Sequence, residues 1–114
     1  MTAEPQIRTA AELGLRLREA GDAAQMLGAI YGLDGLILSA DDLSPNFLDL
    51  RSGLLGNLFQ TFANWRLPVA FVVPDPAAYG ERFAELASEH ARHPGIRFVR
   101  TEPDAWAWLQ ASLA

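Results

Sequence analysis

The chain has 114 residues, half of them apolar and a fifth charged, and its nine cations, all arginine, stand against fourteen acids for a net charge of −5. That sign argues against a non-specific nucleic-acid or anionic-membrane binder, since both hold their targets by clustered positive charge. The absence of cysteine excludes disulfides, thiolate zinc sites and a thiol nucleophile, and the length suits one domain that buries roughly two-thirds of its unfolded surface.

Met1 to Gln6 is polar and includes Pro5, with neither a basic nor an apolar targeting region, so the cytoplasm is the expected location. The longest strictly apolar run, Val69 to Val73, is far short of the ~20 residues of a membrane helix. From Ile7 to Leu17 the residues Leu13, Leu15 and Leu17 alternate with Gly14, Arg16 and Arg18, which favours extended structure somewhere in this stretch. Thr9 followed by Glu12 can equally cap a short helix. Asp22 is expected to cap a helix from Ala23 to about Tyr31, with Met26, Leu27 and Ile30 on one face and Gly32 as its stop.

Gly35 to Leu38 and Val69 to Val73 are unbroken apolar runs, the pattern of strands covered on both faces in a parallel sheet. Pro68 and Pro74 bracket the second run, and a shorter run, Ile96 to Val99, follows Pro94-Gly95. Between the first two runs, Ser44-Pro45 reads as an N-cap with proline at N1, opening a helix that breaks near Arg51-Ser52-Gly53 and resumes to Trp65. Tyr79, Phe83, Leu86 and His90 share one helical face, and Thr101 to Asp104 starts a last helix that buries Trp106, Leu109 and Leu113. The order β-α-β-α-β-α-β-α implies an α/β fold: a single domain with a four- to five-stranded, mainly parallel sheet and flanking helices.

The helix expected over 52–65 carries Leu54, Leu55, Leu58, Phe59, Phe62 and Trp65, with one narrow polar stripe of Gly53, Asn57, Gln60 and Asn64. So much apolar surface predicts burial on nearly all sides and a homo-oligomer, most simply a dimer. Gly53 and Gly56 are read as packing positions. Asp49, Arg51 and Arg66 are expected in a partly buried polar cluster with Gln60 or Asn64, with Glu89 counted in the same cluster, because a buried charge needs a partner.

The same segment resembles a bacterial family known as domain of unknown function 4180. Leu43, Ser44, Pro45, Phe47, Asp49, Leu50, Arg51, Ser52, Gly53, Leu54, Gly56, Gln60, Phe62, Asn64 and Arg66 match its pattern, and Glu89 falls on a glutamate of its E-x-N motif. The chain departs from that pattern at Asn57, Thr61, Ala91 and Val73-Pro74. The resemblance implies a fold similar to sulphate-transporter/anti-sigma-antagonist (STAS) domains, which are interaction and switch modules with a phosphoacceptor in an Asp-Ser/Thr-Ser-Gly-Leu motif. Asp49 to Leu54 is similar to that motif with one extra residue after the aspartate.

The expected function is thus a non-enzymatic regulatory or protein-interaction module with a possible regulatory protein partner. Its switch candidate is Ser52, framed by Asp49, Arg51 and Gly53, where a helix start favours added negative charge. The alternative is a small-ligand or anion-binding domain at the same 49–53 helix start. An enzyme would have only Asp49 and Glu89 as candidate bases. His90 and His93, with Glu85 and Glu89 nearby, read as helix-end and solvated residues rather than a metal site, Asp41-Asp42 as a solvated pair, and Trp106 and Trp108 as core and rim. No cofactor, metal, nucleic acid or membrane is expected.

Overall fold

Apolar runs without alternation form strands only where both faces are covered, and the chain meets that condition with a fully parallel sheet. The computed structural model describes residues 4–113. Its strands are β1 (Ile7–Thr9), β2 (Gly35–Ser39), β3 (Val69–Val72) and β4 (Ile96–Val99), and its helices are α1 (Ala20–Ile30), α2 (Pro45–Leu48), α3 (Leu54–Asn64), α4 (Glu81–Glu89) and α5 (Glu102–Ser112). The strands lie in the order β1-β2-β3-β4, every pair parallel, so the sheet has four strands and no chain reversal.

Sequential order has a packing consequence. Crossovers of one hand between successive neighbours all return over the same face. Met26 and Ile30 of α1, Leu55, Leu58 and Phe62 of α3, and Phe83 and Ala87 of α4 accordingly share one core with Leu36, Leu38, Val69, Phe71, Val73 and Phe98. The opposite face is covered by α5, whose Ala105 and Leu109 meet Ile7, Ile37, Ala70 and Val72. Gly35 gives α5 its close approach: a Cβ there would stand 3.2 Å from Leu109 Cδ2.

Several local expectations change in detail. The alternation of Leu13, Leu15 and Leu17 does not make a strand. β1 ends at Thr9, a turn follows, and only Leu17 is extended, in an isolated bridge to Leu43. Thr9 closes the strand and accepts the Glu12 N–H at 3.0 Å while Glu12 Oε1 accepts the Thr9 N–H at 3.2 Å, but this reciprocal cap holds a turn over residues 10–14 and no helix follows it. α1 begins three residues earlier than Ala23, because Asp22 lies inside the first turn and reaches back to accept the N–H groups of Arg18 and Glu19.

α3 begins at Leu54, not at residue 52, and is an ordinary amphipathic helix. Leu55, Leu58 and Phe62 are buried and Leu54 and Phe59 partly so, while Asn57, Gln60 and Asn64 face solvent. One chain covers most of its apolar arc, so the helix by itself does not demand a second subunit. Gly56 is not a packing position, since a Cβ there would meet nothing within 4 Å. What stays outside is Trp65, 46% exposed and edge-on to Tyr31, itself 79% exposed, with 6.5 Å between ring centres.

Both sheet edges have part of their outward backbone bonded within the chain. On β1 the Ile7 carbonyl accepts Arg8 Nη1 at 2.9 Å, and the Thr9 carbonyl accepts the Leu13 N–H at 3.3 Å. On β4 the Ile96 N–H donates to His93 Nδ1 at 3.0 Å and the Phe98 N–H to the His90 carbonyl at 3.3 Å. Among the described residues no helix is long and apolar enough to cross a membrane.

Candidate functional site

The segment from Ser39 to Leu54 descends from the carboxyl end of β2 through a chain of side-chain caps. Ser39 and Asp42 cap the 3-10 turn Ala40–Asp42 reciprocally, Asp42 Oδ2 accepting the Ser39 N–H at 2.9 Å. Burial pushes the Asp42 carboxyl above its ordinary value and the neighbouring Asp41 adds to this, against the opposing pull of the Ser39 N–H. Ser44 Oγ caps α2 by accepting the Phe47 N–H and donates to the Arg18 carbonyl at 2.9 Å. Phe47, fully buried, pins this short helix to the core.

Asp49 ends α2 and starts the 3-10 turn Leu50–Ser52. Its carboxylate accepts the Arg51 backbone N–H at 3.0 Å, Arg51 Nε at 3.1 Å and Nη2 at 3.1 Å, a two-pronged pair. The side chains are 40% and 90% exposed respectively, so this is a surface pair that shapes a turn, not a buried cluster. The Arg51 side chain, followed by its N–H, holds the Asp49 carboxyl below its ordinary value. Ser52 Oγ lies 2.7 Å from the Asn46 carbonyl and 2.8 Å from that of Asp49, and accepts the Leu54 N–H at 3.2 Å. One hydroxyl thus ties α2, the turn and α3 together. Gly53 follows at φ 76°, a left-handed conformation that glycine adopts without strain.

The other expected cluster members lie elsewhere. Gln60 Nε2 donates to Asn64 Oδ1 at 2.9 Å along the exposed side of α3. Arg66 occupies the left-handed position after α3, at φ 53°, where the Arg66 and Leu67 N–H groups close on the Ala63 and Phe62 carbonyls. No ion pair among the described residues joins Arg66 to Asp49. The polar cluster is therefore a correction: its spacing in sequence reflects a helix end and a helix face, and solvent supplies the partners that burial would have demanded.

What the fold does bring to Asp49 and Arg51 is the loop after β3. The 3-10 turn Pro76–Tyr79, Gly80 at φ 105° and the start of α4 stand opposite Pro45, Leu48 and Leu50, enclosing a groove of about 520 Å³ with buried Phe83 in its lining. Both walls follow the carboxyl ends of parallel strands, where open α/β sheets place ligands. Past Leu50 and Arg82 a second hollow of about 440 Å³ continues along α4 to Glu85, Leu86 and Glu89. Glu89 thus lies at the far end of the feature that begins at Asp49. Tyr79 was not foreseen as a site residue. Its helical spacing to Phe83 suggested core, whereas the Pro76 to Gly80 bracket marks a turn that leaves it 40% exposed with its ring 5.1 Å from that of Phe83.

The histidines have structural partners: His90 Nδ1 lies 3.0 Å from the Leu86 carbonyl, and His93 Nδ1 accepts the N–H groups of Gly95 and Ile96. Among the described residues no three His, Asp or Glu side chains gather as a metal-holding group.

No curated protein and no solved structure matches the chain. The sequence profile of one family does, over residues 3–109. That span takes in the whole sheet, both groove walls and most of α5, and it places this chain in the family described as domain of unknown function DUF4180.

Proposed function

We propose that the chain is a cytoplasmic, non-enzymatic protein-interaction module, STAS-like in its role, whose partner docks in the groove between residues 45–51 and 79–83. The observation that supports this is the meeting of two strand-end loops in an open, largely apolar groove, with Leu48, Leu50 and Tyr79 available to an incoming side chain. Ser52 is the control point of this reading. Its hydroxyl holds the Asn46 and Asp49 carbonyls, and a phosphate there would remove that donor and set about two negative charges beside Asp49. The anion-binding alternative has less support, because the Arg51 guanidinium is already engaged by Asp49.

A photo-crosslinking residue in place of Tyr79, introduced in the native cell, tests the proposal. We expect a discrete protein adduct that is lost with Leu48→Asp and weakened with Ser52→Ala, which removes the hydroxyl donor, and no adduct from the same probe at exposed Ala107 of α5. No adduct at 79, or equal labelling at both positions, overturns it. A homodimer is a separate proposal, supported by the exposed Tyr31 and Trp65 rings. Sedimentation should show a concentration-dependent dimer that Trp65→Ser abolishes, and a monomer throughout rejects it.

A further inference from the structure

We infer that the segment received by this groove is a basic amphipathic helix of a partner protein, an inference that rests on the interaction-module reading above. Three features of the groove specify it. The first is length. The hollow beside Asp49 and the hollow beside Glu89 share Leu50, Glu81 and Arg82 in their linings, so they form one trough along α4. From Glu81 to Glu89 that helix rises about 12 Å, too long a track for a single apolar side chain and matched to two turns of a partner helix.

The second is charge. Glu81, Glu85 and Glu89 recur every four residues, which puts them in one row on α4, and all three are exposed. None of the three is in an ion pair among the described residues. Of the two arginines on the trough, Arg51 is engaged by Asp49, and Arg82 stands beside Glu81. Carboxylates therefore outnumber guanidiniums along the whole track, in a chain whose net charge is −5. An acidic segment, a phosphorylated peptide or an anionic lipid surface would be repelled, and a second copy of this acidic chain is a poor match. Lysine and arginine side chains are attracted, and such complementarity acts on encounter rate and on discrimination between partners.

The third is the apolar floor. Leu48, Leu50 and Leu86 are partly buried and leave apolar surface along the row of glutamates, above a fully buried Phe83. A helix with apolar residues at i, i+3 or i+4, and i+7, and basic residues on one flank, presents both chemistries in that arrangement. The partner is not expected as an added strand, because β1 and β4 have most of their outward amide groups already bonded within the chain.

The test is fluorescence anisotropy of the full chain with labelled synthetic peptides of about 14 residues, long enough for roughly four helical turns. One peptide has leucine and lysine in amphipathic order, a second has the same composition scrambled, and a third replaces every lysine by glutamate. We expect saturable binding of the first, at least about tenfold weaker binding of the other two, and a steep loss between ~20 and ~300 mM salt. Glu85→Lys combined with Glu89→Lys, both on the exposed side of α4, should weaken the first peptide about tenfold or more while the circular dichroism stays unchanged. Leu50→Asp should abolish binding. The inference is overturned if the first peptide fails to bind, if the scrambled peptide binds as well, if the acidic peptide is preferred, or if the double charge reversal leaves affinity unchanged. An adduct from the Tyr79 probe alongside any of these results would leave the interaction module standing and remove only its basic partner.

Discussion

The two faces of the sheet are built from the same strands and finished by different means. One face receives α1, α3, α4 and the segment between β2 and α3, and its core includes five buried phenylalanines, with Phe71 and Phe98 at 4.8 Å and Phe83 and Phe98 at 5.9 Å between ring centres. The other receives α5 alone. The contrast teaches that a sequentially ordered parallel sheet cannot cover itself evenly. Its crossovers return to one side, and the last helix must close the other. The strands are shaped for this. Leu36, Val69 and Phe71 face the thick side, while Gly35 and Ala70 face α5 and let a helix carrying Ala105 and Leu109 settle close.

The first way to break the comparison is Phe71→Ala. Phe71 is fully buried among Phe59, Phe83 and Phe98, and its removal should cost about 3 to 5 kcal/mol by denaturant titration. Leu109→Ala on the thin side should cost less, about 2 to 3 kcal/mol, with amide exchange rising first in α5 rather than throughout the chain. If Leu109→Ala proved the more damaging of the two, α5 would be organising the sheet and not closing it.

A double-mutant cycle sharpens the same point. Gly35→Ala places its Cβ against Leu109 Cδ2 and should cost about 1 kcal/mol in the parent, but distinctly less in the Leu109→Ala background, where the crowded methyl is gone. The smallest effect lies at the rim beneath α5, where Asp42 shares a hollow with Ser39, Asp41 and Glu102. Its carboxyl is raised above the ordinary value of 3.8, so its protonated form is favoured by folding: that contribution is fully present below the usual carboxylate range and is lost as pH rises through the raised value. Asp42→Asn keeps an acceptor for the Ser39 N–H without the charge. It should therefore melt at the same temperature as the parent or slightly higher at pH 7, and the advantage should vanish on acidification.

The fold was legible because its signals are local. Unbroken apolar runs, Ser44-Pro45 and Thr101 each place an element without help from the rest of the chain. The site was half legible. Asp49, Arg51, Ser52 and Gly53 stood out as polar residues in an apolar stretch, and they do form one wall-building turn. Arg66 and Asn64 shared that appearance but belong to a helix end, a position whose solvent exposure depends on where Leu67 tucks into the core. The second wall was hidden because Tyr79 has helical spacing to Phe83, and only the bracketing Pro76 and Gly80 place it in a loop. Gly56 would have been legible only from the three-dimensional fact that nothing approaches it.

The sheet's self-bonded edges bear on how the molecule behaves when crowded. An open parallel sheet offers two templates on which a neighbour's strand can polymerise. Here a guanidinium, a carboxylate and the Leu13 amide occupy one template, while an imidazole and a histidine carbonyl occupy the other. Most of the outward N–H groups are thereby spent within the chain, which lowers the tendency of the folded molecule to grow into ribbons or fibres.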